Sequence, residues 1–89
     1  MAGNFLGETT TLIKGNRKHH ANLHHANLRG ADLIETRFIG ANLSDADLCG
    51  ANLMDANMHG ATLNWAQLED ALITDEQLRT VKSRLQRED

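Results

Sequence analysis

Large apolar residues recur at every fifth position through the middle of the chain: Leu23, Leu28, Leu33, Phe38, Leu43, Leu48, Leu53, Met58, Leu63, Leu68 and Ile73. That period suits no regular element. An α-helix turns about 100° per residue, so five residues overshoot a turn by roughly 140° and the apolar positions would spiral around the cylinder. A strand alternates faces with a period of two, so every second leucine would leave the core. What remains is a short extended piece followed by a fixed bend, repeated so that each bend returns the next leucine to a common axis. A small residue stands two positions before each centre, Ala in ten of the eleven cases and Thr36 in the other. In an extended segment it points the same way as the leucine. The position between them is mostly Asn or Asp, facing out, where the side chain can bond nearby backbone at a bend.

The eleven units, ANLHH at Ala21 through ALITD ending at Asp75, follow each other without a gap. This A-(D/N)-L-x-x pattern resembles the pentapeptide-repeat proteins. The resemblance covers about 55 of the 89 residues. It implies an all-β fold, a right-handed quadrilateral parallel β-helix with four repeat units per coil. Eleven units then make about three coils. The sequence carries its own test of four sides: Gly30, Gly40, Gly50 and Gly60 alternate with Glu35, Asp45, Asp55 and Trp65 as the last residue of the unit. A three-sided coil would stack glycine on acid, whereas a four-sided one stacks Gly30 on Gly50 and Gly40 on Gly60. These glycine corners are expected to adopt a backbone shape that a Cβ penalises. Phe38 and Met58, the bulkier centres, would share one column.

Residues 1–89 read as one domain with a degenerate N-terminal segment at 1–20, repeats at 21–75 and a closing element at 76–89. Within the first segment TLIKG keeps the phase with Ile13 at its centre, and NRKHH breaks it by placing Lys18 there. After the repeats, Leu78, Val81 and Leu85 follow a helical stripe, with Thr74 and Gln77 as a candidate capping box. A capping α-helix over 76–89, with Arg87 in its later turns, is therefore expected to lie on Trp65 and Leu72. An uncovered solenoid end would leave strand edges and apolar axis open to pairing.

Chemistry is sparse. His19, His20, His24 and His25 lie close in sequence, but five residues turn the chain through a quarter of a coil, so His19 and His24 should face different ways. No metal site is expected, with His19 and His20 the one candidate pair. His59 falls over Ile39. No nucleophile elbow or phosphate loop is present. Cys49 has Arg29 and Glu69 as column neighbours, and Arg29 is expected to lower its thiol pKa. Glu35, Asp55 and Asp75 should form an outer acidic ridge, and a convex edge offers no pocket for a substrate. An enzyme is not expected, nor a cofactor.

Charge and surface narrow the function further. The net charge of −3 opposes nonspecific nucleic-acid binding, and aromatic interleaving for single strands is absent. Seven acids and no Lys or Arg lie between Phe38 and Leu78, while Lys14, Arg17, Lys18, Arg29 and Arg37 precede them, so the two ends should differ in sign. No run reaches the ~20 apolar residues of a membrane span, and the first residues lack a basic region before an apolar one, so a cytoplasmic protein is expected. The lone Cys49 agrees with a reducing compartment. Family members that shield DNA gyrase from quinolones use a longer, acidic, dimeric stack resembling duplex DNA; three coils with acid in one half fit that activity poorly. Ile34 and Met54, one coil apart, should stack on one wall and point outward with Ile39 on the next, beside Glu35 and Asp55. This patch is expected to meet a protein partner or a second copy of the chain. A gyrase-directed DNA mimic and a histidine-based metal binder are the alternatives.

Overall fold

The computed structural model describes residues 20–86. Ile13, Lys18, His19, Arg87 and the rest of 1–19 and 87–89 lie outside them. The chain winds in four-sided coils, and each side pairs in parallel with the same side of the next coil: Asn22 with Asn42, Asn27 with Asp47, Asp32 with Asn52 and Arg37 with Asn57. The register is carried by a two-bond rung on every side. On the first side, Leu23 N–H donates to the Asn42 carbonyl (2.8 Å) and Asn42 N–H donates to the Ala21 carbonyl (2.9 Å). So short a pairing on each side cannot build long strands, and the sheets are ribbons of single bridges.

The bends follow from the repeat. In the seven units that carry Asn or Asp at the outward position, that side chain accepts from the amide two residues on, as Asn42 Oδ1 does from Ser44 N–H (3.0 Å) and Asn52 Oδ1 from Met54 N–H (3.1 Å). The next unit's Ala N–H donates back to the leucine carbonyl, as in Ala46 to Leu43 (3.1 Å), and closes a β-turn. The third residue of that turn has positive φ at every corner from His20 to Asp70, glycine or not: 65° at His25, 62° at Glu35, 61° at Asp45, 58° at Trp65. The glycine corners Gly30, Gly40, Gly50 and Gly60 adopt the expected shape, and the non-glycine corners share it. Asn, Asp and His tolerate the left-handed region better than most residues, which suits His25, Asp45, Asp55 and Asp70. Glu35 and Trp65 carry the strain. At Gly50 an added Cβ would sit 3.9 Å from Gly30 Cα, ordinary contact, so conformation and not crowding favours glycine there.

Inside, every coil contributes one large residue per side. Leu23, Leu28, Leu33, Phe38, Leu43, Leu48, Leu53, Met58 and Leu63 are buried, with Ala26, Ala31, Ala41, Ala46, Ala51 and Ala61 filling the space between them. Burying each leucine in this way is worth about 1.5–3 kcal/mol. Thr36, in an alanine position, is fully buried, and no buried side-chain polar atom among the described residues lacks a partner.

The closing element departs from expectation. Helix α1 covers only Asp75–Thr80, although its capping box is formed as expected: Gln77 N–H donates to Thr74 Oγ1 (3.1 Å) and Thr74 N–H to Gln77 Oε1 (2.8 Å). At Val81 the backbone is extended (φ −71°, ψ 153°), and the chain then runs as a further side above the third coil, Thr62 pairing with Ser83. Val81 is β-branched, and the free edge of the last coil offers backbone partners that a continued helix could not reach. Gly60, Leu63 and Trp65 amides donate to the Thr80, Ser83 and Leu85 carbonyls at 2.7–2.8 Å, and Lys82 N–H to the Ala61 carbonyl (2.7 Å). Where α1 interrupts the ladder, the Gln77 side chain supplies the missing donor: Nε2 reaches the Leu53 and Ala56 carbonyls at 2.7 and 2.9 Å. The detour adds one position, so Thr62 meets Ser83 where an unbroken repeat would have placed Lys82.

Candidate interaction surface

With the coils in place, the outward positions can be located. Met54 is 50% exposed, while Ile34 and Ile39 are half-buried. Glu35 N–H donates to the Met54 carbonyl (3.0 Å), which fixes the Ile34 turn directly against that of Met54. Glu35 and Asp55 stand at exposed left-handed corners beside them. His59 lies in the turn next to that of Ile39, since Gly40 N–H donates to its carbonyl (3.0 Å).

The expected cap contacts divide. Leu78 and Val81 pack on the core, but Trp65 (39%), Leu72 (54%) and Leu85 (52%) remain exposed because α1 is too short to lie over them. Trp65 meets the closing segment through its backbone amide. Leu72 occupies an outward position that is usually Asn or Asp, and there it lines a groove of about 300 Å³ with Met54, Asp55, Ala71, Ile73 and Gln77. The apolar wall therefore runs from Ile34 through Met54 to Leu72. Column arithmetic brings Ile34 and Met54 together in the sequence; Leu72 is missed there because a long helix is expected to cover it.

The acidic half is not bare. Arg29 Nη1 lies 3.1 Å from Asp47 Oδ2, and the closing segment lays Lys82 and Arg84 along the last coil. The expected Asp75 step of the acidic ridge instead opens α1.

Cys49 is also altered. Its N–H donates to Asp47 Oδ1 (3.1 Å), and a hydrogen bond between the thiol and the Asp47 carboxylate, with partial desolvation, pushes the thiol pKa up. Arg29 acts in the opposite sense but is engaged by Asp47, so the expected lowering is reversed. Thiolate is the reacting form, so Cys49 should alkylate more slowly than an unhindered cysteine near pH 8. Asp47→Asn keeps the turn and should accelerate iodoacetamide labelling; an unchanged rate would remove the carboxylate as the cause.

Among the histidines, His19 lies outside the described residues and His20 rests against Gly40, its ring 2.7 Å from where a Cβ would stand. His24 and His25 instead converge on Asp45, with His24 Nε2 at 3.2 Å from Asp45 Oδ2. No helix among the described residues is long and apolar enough to cross a membrane.

The pentapeptide-repeat family model matches residues 19–53 and 36–75, in eight copies. The chain belongs to the pentapeptide-repeat family. It is similar to the solved structure of a pentapeptide-repeat protein from the cyanobacterium Cyanothece, with 33% identity and a TM-score of 0.60 over 74% of this chain and 44% of that one. This chain thus spans less than half of that protein's length, and the shared fold is the right-handed quadrilateral β-helix. A pentapeptide-repeat protein of the Arabidopsis thaliana thylakoid lumen aligns at 23% identity and a TM-score of 0.46, over 94% of this chain and 66% of its own. No curated protein sequence matches significantly.

Proposed function

We propose that this pentapeptide-repeat chain is a non-enzymatic binding or assembly module, and that the Ile34–Met54–Leu72 wall meets a protein partner or a second copy of the chain. The supporting observation is the side-by-side exposure of Met54 and Leu72 in one apolar groove, on a wall whose repeat pattern otherwise supplies polar residues. A scaffold held by a rung on every side loses little freedom on docking, so modest apolar area can be used efficiently. Asp55 at the rim would set orientation more than affinity. The patch is small beside the roughly 800 Å² per partner of a standard interface, which favours a reversible contact. A DNA-like surface is poorly supported, because Arg29, Lys82 and Arg84 break the acidic field. A cytoplasmic setting remains part of this reading.

The test is self-association by light scattering over a concentration series. Met54→Ser with Leu72→Asn, the latter restoring the repeat's usual residue, should weaken association at least about tenfold, the loss of about 1.4 kcal/mol. If both proteins are monomeric throughout, and the double variant recovers the same partners from cell extract as the wild type, the wall is not the binding surface.

A further inference from the structure

Three donor atoms of His24, His25 and Asp45 lie within 4.8 Å of one another. They come from two coils. His24 and His25 end the first repeat unit, and Asp45 stands one full coil after His25, directly next in its corner column. We propose that these three side chains form a structural site for a divalent transition metal, zinc first, which clips the first described coil to the second.

The geometry supports this in several ways. His24 Nε2 and Asp45 Oδ2 are 3.2 Å apart. Two ligands on one tetrahedral zinc, each at about 2.0–2.2 Å, stand roughly 3.3–3.5 Å apart, so this pair needs almost no adjustment to share an ion. The same spacing serves a hydrogen bond when no metal is bound. His25 is the third ligand; its ring lies 4.0 Å from that of His24, centroid to centroid, and is exposed enough to turn inward. A fourth position is left for water.

The backbone that carries the ligands is fixed before any ion arrives. His24 N–H donates to Asn22 Oδ1 (3.2 Å), His25 N–H to the Ser44 carbonyl (3.0 Å) and Asp45 N–H to the Asn64 carbonyl (2.8 Å). Such preorganisation limits the entropy lost on binding. One carboxylate and two imidazoles suit zinc, and nickel or copper would enter by the usual order of affinities. The ion would therefore bind the coiled chain and not the open one, so its binding energy adds to folding.

The chain has a single tryptophan, and Trp65 lines a cleft with Asp45. It is a built-in reporter, since paramagnetic Cu²⁺ or Ni²⁺ at the site would quench it. The experiment titrates ZnCl₂ into untagged full-length protein by calorimetry, follows Trp65 emission with NiCl₂, and records melting with and without zinc. The variants are His24→Ala, Asp45→Asn and, as control, His19→Ala with His20→Ala. Asparagine tolerates the left-handed corner, so Asp45→Asn keeps the turn. The expected result is close to one zinc per chain, a melting rise of about 5 °C or more in excess zinc, and Trp65 quenching by nickel. His24→Ala and Asp45→Asn should each weaken binding by about tenfold or more and lose the melting rise, while the control keeps both. The proposal is overturned if wild type shows no stoichiometric uptake, if His24→Ala and Asp45→Asn bind as tightly as wild type, or if the control alone abolishes binding.

Discussion

Leu48→Ala should lower the unfolding free energy by about 2–5 kcal/mol, whereas Ser44→Ala, four residues earlier on an outer turn, should change it by less than about 0.5 kcal/mol. Leu48 is fully buried between Leu28 below and Leu68 above. The cost of a cavity depends on how far its walls can collapse. Here they can move little, because coil spacing is set by rungs on each side of the gap: Leu28 N–H to the Asp47 carbonyl (2.9 Å) and Leu48 N–H to the Gln67 carbonyl (2.8 Å). The upper part of the range is therefore expected. In a stacked repeat the loss also weakens the contacts of both neighbouring coils, so the urea midpoint should fall without a separate early transition. Equal midpoint shifts for the two variants would mean that the centre residues do not face the axis.

The features legible in the sequence are those that the backbone repeats. A period of five excludes helix and strand by geometry alone, and the glycine alternation chooses four units per coil over three. The bridges between Asn22 and Asn42 and between Asn27 and Asp47 show that spacing directly. The capping box is legible too, because Thr74 and Gln77 act within one turn and need no knowledge of the rest of the molecule.

What the sequence conceals depends on competition between distant parts. Leu78, Val81 and Leu85 fit a helical stripe, but three positions cannot weigh a helix against the open edge of Ala61, Leu63 and Trp65, which exists only once the third coil has formed. The left-handed shape of the other corners is hidden because Asp, His, Glu35 and Trp65 adopt positive φ there without the compositional mark that glycine leaves. His24, His25 and Asp45 fall together by the same column arithmetic that pairs Ile34 with Met54. Histidines set beside one another alone do not reveal the site, because the carboxylate that joins them lies one coil on. Cys49 has a charged column neighbour in Arg29, yet Asp47, two residues away in its own turn, decides the thiol's behaviour.

Ending the chain after Thr74 should convert a closed solenoid into one with a reactive edge. The amides of Gly60, Leu63 and Trp65 lose their acceptors, and the carbonyls of Leu53, Ala56 and Ala61 lose their donors from Gln77 and Lys82. Asn64 Oδ1, which accepts from the Ser83 hydroxyl (2.7 Å) and from Leu85 N–H (2.8 Å), is released as well. Water can replace part of this, so each lost bond is worth nearer to about 0.5–1.5 kcal/mol than the full cost of a buried unmet group. Six such bonds to backbone still sum to several kcal/mol, comparable with the ~5–15 kcal/mol that holds a small domain together. Removing Leu78 and Val81 also bares Leu68 and Ile73, which are only half-buried even with the closing segment present. The cheapest way to restore the lost partners is the edge of another molecule, because a parallel coil presents the same spacing of donors and acceptors at every level. The truncated protein should therefore melt well below the intact chain, and light scattering after size-exclusion should find end-to-end dimers or larger species at micromolar concentration. Gln77→Ala, which removes two of the bonds and leaves the edge covered, should lower stability modestly and remain as monomeric as the parent. A truncated chain with the parent's mass and melting temperature would show that residues 75–86 are an appendage and that the third coil is stable with its edge exposed.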